Sequence, residues 1–251
     1  MNIIKFIFFT TTLFSAIPQT VLAQEIDEVD TTSILEKVDA IRSPSENFVF
    51  TVKVDSQTST LKNESEFEVL VHNRTKSLVL YRQPIKQRGR ALLLDGPNMW
   101  IYIPGTNRPV RISPQQQLTG AVSNADVARV VFSLDYRVER IEKQRIDDLP
   151  AFKLELRARQ SNIPYQYVQL WITQKDLHPL KADFFSLSQK LIRTIHYEGY
   201  KNILGQQRPT TLKISDAINP SVKATLTYSN FKIQDTPPEY YQPSYLERLA
   251  N

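Results

Sequence analysis

The sequence predicts a mainly β protein, built as one large, curved antiparallel sheet or a barrel. Apolar and polar residues alternate over many short segments, and a period of two places successive side chains on opposite faces of a strand. Turn signals separate the segments, among them Asp95-Gly96-Pro97 and Pro104-Gly105. Many short strands with one apolar face are typical of a sheet that curves to bury that face.

The N-terminus has the pattern of a secretory signal peptide. Lys5 precedes an apolar run over residues 6–17, and Val21-Leu22-Ala23 supplies the small residues of a cleavage site. The apolar run is short for a membrane-spanning helix, which favours a cleaved signal peptide. The alternative is a membrane anchor or an N-terminal core helix. We therefore expect cleavage after Ala23, export to a bacterial periplasm, and a mature single domain over residues 24–251.

The chain contains no cysteine. This excludes disulfides, thiolate nucleophiles, cysteine-based zinc sites and a lipidated cysteine after the signal. We therefore expect a soluble mature protein rather than a tethered one.

The charge of the chain is modestly basic, with a formal value of +5. In a periplasm this balance does not favour a nucleic-acid partner, and it is compatible with an anionic membrane surface or an acidic protein. Lys86, Arg88 and Arg90 alternate along a predicted strand and would share one face. That row either docks on acidic lipid or an acidic partner, or is a solvated face that protects a sheet edge.

The elements follow one another as a helix and then a series of strands. Residues 31–42 have helical spacing, with Ile34, Leu35, Val38 and Ile41 on one face, and Ser43-Pro44 ends the helix. The apolar faces of the clearest strands are Phe48, Phe50, Val52 and Val54; Phe67, Val69 and Val71; Phe152, Leu154, Leu156 and Ala158; and Val222, Ala224, Leu226 and Tyr228. Further strands are predicted at 75–83, 88–95, 98–104, 108–113, 136–146, 164–173, 179–187, 190–200 and 208–217.

Residues 123–134 interrupt the β pattern and predict a helix. Ser123 and Asp126 have the spacing of a capping box, and the segment is apolar over most of its circumference. A connector over residues 113–120 precedes it. The segment is either an ordinary core helix or a lid that fills a hydrophobic cavity.

The sequence does not predict an enzyme, a cofactor or a metal site. Its three histidines lack metal-binding spacing, and its serines lack the G-x-S-x-G pattern of a hydrolase. Asp147-Asp148 has the character of a turn, and Glu66 and Glu68 lie on the polar face of a strand.

Three stretches of the chain resemble the LolA-like periplasmic lipoprotein carriers. Asp95-Gly96, Trp100, Tyr102 and Pro104 match the strand-turn-strand pattern of that family. The stretch over 177–183 is similar to its hairpin before the last strands, and the run ending at 132–136 resembles the subgroup of outer-membrane lipoprotein-sorting proteins.

The resemblance implies an unclosed antiparallel β-barrel of about eleven strands, with helices covering a concave hydrophobic cavity. Such carriers have no catalytic centre, cofactor or metal. The implied function is to bind the acyl chains of lipoproteins, or a related lipid, and to shuttle them from an inner-membrane exporter to an outer-membrane acceptor as a monomer. The alternative is a periplasmic lipid or lipoprotein sensor with the same fold, and an enzyme on this fold is a third class.

The resemblance also implies a set of residues for the cavity and its lid. In the family an arginine near the third strand holds the lid closed, and Arg74 or its neighbour Asn73 matches it. Two faces of one strand, Trp100 with Tyr102 and Met99 with Ile101, are both candidates for the cavity wall. The full set of cavity and lid residues is Phe67, Val69, Leu80, Leu92, Met99, Trp100, Ile101, Tyr102, Val127, Val130, Val131, Phe132, Leu154 and Leu156.

Overall fold

The computed structural model describes residues 28–44, 47–119, 122–128 and 131–250. The predicted signal peptide, residues 1–23, and the predicted lid residue Val130 lie outside the described residues.

The described residues form fifteen strands, thirteen of which belong to one antiparallel sheet. The first strand pairs with the last, Phe48 opposite Ile233, while β6 and β9 are the two free edges. The sheet is therefore not closed, which confirms the predicted fold class, with thirteen strands where about eleven were expected. The strands are β1 Phe48–Gln57, β2 Lys62–His72, β3 Lys76–Gln83, β4 Ala91–Asp95, β5 Asn98–Tyr102, β6 Val110–Ile112, β7 Gln117–Thr119, β8 Val122–Ser123, β9 Tyr136–Ile146, β10 Leu149–Ala158, β11 Tyr167–Thr173, β12 Pro179–Phe185, β13 Leu191–Ile203, β14 Gln206–Asp216 and β15 Lys223–Ile233. Strands β7 and β8 pair only with each other.

In the described part of the chain, four α-helices accompany the sheet: α1 Glu28–Arg42, α2 Asn124–Ala128, α3 Phe132–Asp135 and α4 Leu246–Ala250. The prediction of one continuous helix over 123–134 is wrong, because Val131 has extended backbone, with φ −119° and ψ 102°. Successive β-branched valines have low helix propensity, so this segment has little local drive to remain helical. None of the described helices is long and apolar enough to cross a bilayer.

The sheet buries both of its faces along β3, β4 and β5. Its inner face, which α1, α2 and α3 cover, belongs to a large apolar cluster that extends from Phe48 to Leu226. Its outer face carries a smaller cluster that includes Leu78, Leu93 and Tyr102. A C-terminal segment over 238–250, which the sequence did not predict, covers this outer cluster with Tyr241 and Leu246. Runs such as Leu92-Leu93-Leu94 are apolar throughout because both sides of the strand are buried.

Helix α1 is attached to the inner face at its C-terminus. The guanidinium of Arg208 on β14 donates to the carbonyl oxygen of Ile41 at 3.1 Å, which satisfies one of the last carbonyls of the helix. Leu35 and Val38 pack into the inner cluster. This attachment fixes the position of Asp39, which faces the short helices described next.

Candidate functional site

A cavity lies between the inner face of the sheet, the C-terminal end of α1 and the short helix α2. Its interior volume is about 70 Å³, and the wider space of about 780 Å³ between the lining atoms includes open solvent. Its wall includes Phe48, Phe50, Tyr228 and Phe231, and the rings of Phe50 and Phe231 stack with centroids 5.3 Å apart. Phe50 also lies 5.5 Å from Phe48 and 5.7 Å from Tyr228. This aromatic wall offers apolar surface to a ligand.

We call residues 122–128 and 131–135 the lid, because three of them, Asp126, Val127 and Val131, line the cavity. The lid is held by a carboxylate of α1. The two oxygens of Asp39 accept hydrogen bonds from the backbone amides of Phe132 at 2.9 Å and Ser133 at 2.8 Å. Asp39 thereby caps α3, whose first amides have no partner within the helix. Arg74, in the turn between β2 and β3, lies 3.8 Å from the same carboxylate.

A second anchor holds the other half of the lid. The carboxylate of Asp126 accepts from the backbone amide of Ser123 at 2.7 Å and from its hydroxyl at 2.8 Å. It also forms an ion pair with Arg193 on β13. Both partners are buried, with side chains 2% and 10% exposed, and Arg193 also lies over the ring of Tyr165, 5.3 Å from its centroid. Burial acts to lower the pKa of Arg193, but the Asp126 carboxylate raises it above its ordinary value.

Buried phenols surround the cavity and the lid. Burial raises the pKa of Tyr136, Tyr165, Tyr197 and Tyr228, because a phenolate loses its hydration inside the protein. The same effect raises the pKa of Tyr81 to about 12. The folded chain therefore favours the neutral phenols more strongly than the unfolded chain does.

We expect the free energy of unfolding to fall as the pH rises above about 10, the ordinary tyrosine pKa. Above pH 10 the unfolded chain releases phenolic protons that the folded chain still holds. The stabilisation of the folded state that is present below pH 10 is therefore lost as the pH rises through the raised pKa values of the buried tyrosines. Urea unfolding at about pH 8 and about pH 11, with tyrosinate absorbance recorded in parallel, measures the change. Tyr228→Phe removes one titrating phenol and should reduce the slope; an unchanged slope would contradict the assignment to that residue.

The structure brings most of the predicted cavity residues to the inner face. Those in the inner cluster, or packed against it, are Phe67, Val69, Leu92, Met99, Ile101, Val127, Phe132, Leu154 and Leu156. Of the predicted residues, Val127, Val131 and Arg74 line the cavity itself. Whether these residues bind a ligand stays a prediction.

The placement of Leu80, Trp100 and Tyr102 in the cavity was wrong. Their side chains lie in or against the outer cluster beneath the C-terminal segment. The physical reason is the period of a strand: Trp100 and Tyr102 alternate with Met99 and Ile101, so only one pair can face inward.

Sequence reasoning missed the polar residues that hold the lid. Asp39 lies in a predicted helix and Arg193 in a predicted strand, and neither has a local pattern that marks its role. The capping-box spacing of Ser123 and Asp126 was a usable signal, since the structure places Asp126 between that serine and Arg193. Phe48 and Phe50 were found as a buried strand face but not as a cavity wall.

A second groove opens beside the first part of the sheet. Its volume is about 410 Å³, and much of its lining is apolar: Tyr81, Ile101, Ile103, Val110 and Leu118. Arg90 and Asn124 are among its polar residues. Within the described residues, no group of three or more histidine, aspartate or glutamate side chains could hold a metal ion.

Fold and site together define a class of protein: an unclosed β-barrel with an aromatic-walled cavity beneath a lid that polar residues anchor. Comparison with solved structures agrees. A LolA superfamily protein from Nitrosomonas europaea is 36% identical to this chain, with a TM-score of 0.79 over 86% of this chain and 98% of that one. This chain belongs to the LolA superfamily.

Other comparisons support the fold. A putative outer membrane lipoprotein-sorting protein domain from Vibrio parahaemolyticus has a TM-score of 0.74 at 18% identity, covering 88% of this chain and 100% of that one. A DUF1329 family protein from Desulfovibrio piger has a TM-score of 0.74 at 16% identity, covering 87% and 98%. A family model described only as that of an uncharacterized protein matches residues 73–248. None of the curated proteins matches the chain significantly.

Proposed function

We propose that the protein is a periplasmic carrier, which holds the acyl chains of a lipoprotein or a related lipid in the cavity and shuttles them toward the outer membrane. The observation that carries the proposal is an aromatic-walled cavity closed by a lid that two carboxylates hold. Membership of the LolA superfamily supports it, and the name of the lipoprotein-sorting domain from Vibrio agrees with a cargo of this class. In this proposal the mature chain, residues 24–251, acts as a monomeric carrier domain after cleavage following Ala23.

The energetics of acyl chains favour an enclosed site. Each methylene exposed to water is unfavourable by about 0.8 kcal/mol, so a soluble carrier must cover its cargo. It must also release that cargo, which requires a lid of low local stability. Helices α2 and α3 have only five and four residues, too short to be stable on their own, so their position depends on their anchors.

The proposed role consists of binding and release, with no chemical step. An inner-membrane exporter would load the carrier and an outer-membrane acceptor would receive the cargo. Native mass spectrometry of protein purified from the periplasm without detergent, followed by lipid extraction, tests this directly. A defined acylated adduct would support the carrier. A bare protein that also fails to take up a fluorescent acyl probe would contradict it and favour a sensor.

Val131→Asp is expected to weaken binding of a fluorescent acyl probe by at least about tenfold, because it places a carboxylate in the apolar wall. Val131 is buried and lines the cavity. Equilibrium titration of the probe measures the effect, and urea unfolding checks that the variant is folded.

Leu134→Asp is the matched control, since Leu134 lies in the same lid but is half exposed. It should leave the affinity nearly unchanged. Equal losses in the two variants would show that the lid's apolar side does not contact the probe.

A further inference from the structure

One end of the sheet carries a series of exposed aliphatic side chains. The antiparallel register brings six hairpin loops to this end, and five successive ones form the series: 103–109, 84–90, 58–61, 217–222 and 186–190. The sixth loop, 159–166, has no large exposed apolar residue. Each of the five loops presents one large aliphatic residue, with exposed fractions between 37% and 72%. We call this set the aliphatic rim; its members are Ile103, Ile85, Leu61, Ile218 and Leu187.

The same loops are strongly cationic. Together with the strand residues that follow two of them, they contain seven lysines and arginines and no aspartate or glutamate: Lys62, Lys86, Arg88, Arg90, Arg108, Lys190 and Lys223. Within the described part of the chain, no ion pair joins any of the seven to a carboxylate. All but Arg90 are exposed.

Two carboxylates on the strands beside these loops have partners of their own. Asp216, at the end of β14, accepts from the amides of Ile218 and Asn219 at 2.8 Å each. Glu64 pairs with Lys53 at 3.2 Å. Asp216 thus adds one negative charge beside the loop 217–222, and the seven cations still leave this end with an excess of positive charge for an external partner.

The opposite end of the sheet differs in both respects. Its loops over 73–75, 96–97, 147–148, 174–178 and 204–205 hold two cations and three carboxylates, Asp147, Asp148 and Asp176. Of the large exposed apolar residues in the described chain, Leu204 alone lies in these loops. This end therefore has fewer exposed aliphatic residues in its loops and no excess of cations, although Leu149 and Ile233 are exposed on the strands beside it.

From this asymmetry we propose that the aliphatic rim docks the protein on the surface of an anionic phospholipid bilayer. Hairpins two strands apart are separated by roughly 10 Å, so the aliphatic residues stand singly among cations instead of forming one continuous patch. A bilayer interface accepts isolated apolar side chains between its headgroups and attracts lysine and arginine, whereas a protein interface needs a contiguous apolar core. The second groove opens at this rim, since its lining includes Ile103 of the rim and Arg90, one of the seven cations.

Sedimentation with protein-free vesicles tests the proposal. We expect the purified chain to bind vesicles of phosphatidylcholine with about one-third phosphatidylglycerol, and to bind pure phosphatidylcholine far more weakly. Ile85→Ser with Leu187→Ser should lower partitioning at least about tenfold. Lys86→Gln with Arg88→Gln should lower it about fivefold for each charge at low salt. Leu204→Ser and Lys175→Gln, at the opposite end, are matched controls and should change it less than about twofold.

Three results would overturn the proposal: no binding to anionic vesicles, equal losses in the rim variants and the controls, or binding only to native membranes that protease treatment abolishes. The last would identify a protein partner. All substituted side chains are exposed, so unfolding midpoints should not change. The proposal does not depend on the cargo, and the rim variants should still bind the acyl probe. Binding of the acyl probe without binding of vesicles would contradict only the docking proposal. Binding of vesicles without binding of the probe would contradict only the proposed carrier function.

Discussion

Arg193→Met is expected to lower the free energy of unfolding by about 3–5 kcal/mol, the usual effect of removing one partner of a buried ion pair. The substitution leaves the carboxylate of Asp126, 2% exposed, without its cation. Its remaining partners are the amide and hydroxyl of Ser123, which cannot neutralise a buried charge. Urea unfolding measures the loss, and amide exchange over 122–128 shows whether the lid opens before the sheet unfolds.

Two further variants separate charge from packing. Adding Asp126→Asn to Arg193→Met removes the unpaired charge and should restore more than half of the loss, because a neutral amide is far easier to bury. Arg140→Met breaks an exposed pair with Glu142, 2.6 Å long, and should change stability by less than about 1 kcal/mol. Similar losses for Arg193→Met and Arg140→Met would refute the role of the buried pair.

Asp39→Ala is expected to speed release of a bound acyl probe by at least about tenfold. It removes both acceptors of the α3 amides, and each buried amide left without a partner is unfavourable by about 1–3 kcal/mol. Opening the lid returns those amides to water, so the substitution favours the open state. Stopped-flow displacement of the probe measures the release rate.

Arg74→Leu is the companion variant. Its link to the lid passes through Asp39, at 3.8 Å, and its side chain is 36% exposed. We therefore expect release to speed up by only a few-fold, with little change in unfolding free energy. Equal release rates in Arg74→Leu and wild type would show that Arg74 does not help to hold the lid closed. Equal release rates in Asp39→Ala and wild type would show the same for the carboxylate of Asp39.

Much of the fold is readable from local patterns. The period of two in β1, β2 and β10 predicted which side chains are buried, because one face of each strand packs on the core while the other meets water. The apolar face of α1 was equally clear, and Leu35 and Val38 lie where it predicted. The resemblance carried by Asp95-Gly96 and Trp100 led to the superfamily that the comparisons then showed.

The patterns were insufficient where both faces of a strand are apolar. Met99 and Trp100 are equally good core residues by sequence, yet Met99 packs inside and Trp100 outside. The C-terminal segment decides this, since Tyr241 and Leu246 bury the outer face. The prediction of one continuous lid helix was wrong for a related reason. The short helices of the lid depend on contacts with residues distant in the sequence rather than on their own helix propensity.

Sequence by itself thus determined the class of fold, the alternation of its strands and the absence of cysteine chemistry. The tertiary structure alone decided which face lines the cavity, how the lid is held and which loops meet at the rim. Asp39 reaches an amide 93 positions away, and Arg193 a carboxylate 67 positions away. The periodicity of a sequence indicates only which side of its own strand or helix a side chain occupies. Contacts between residues so far apart in the chain depend on how the whole sheet curves.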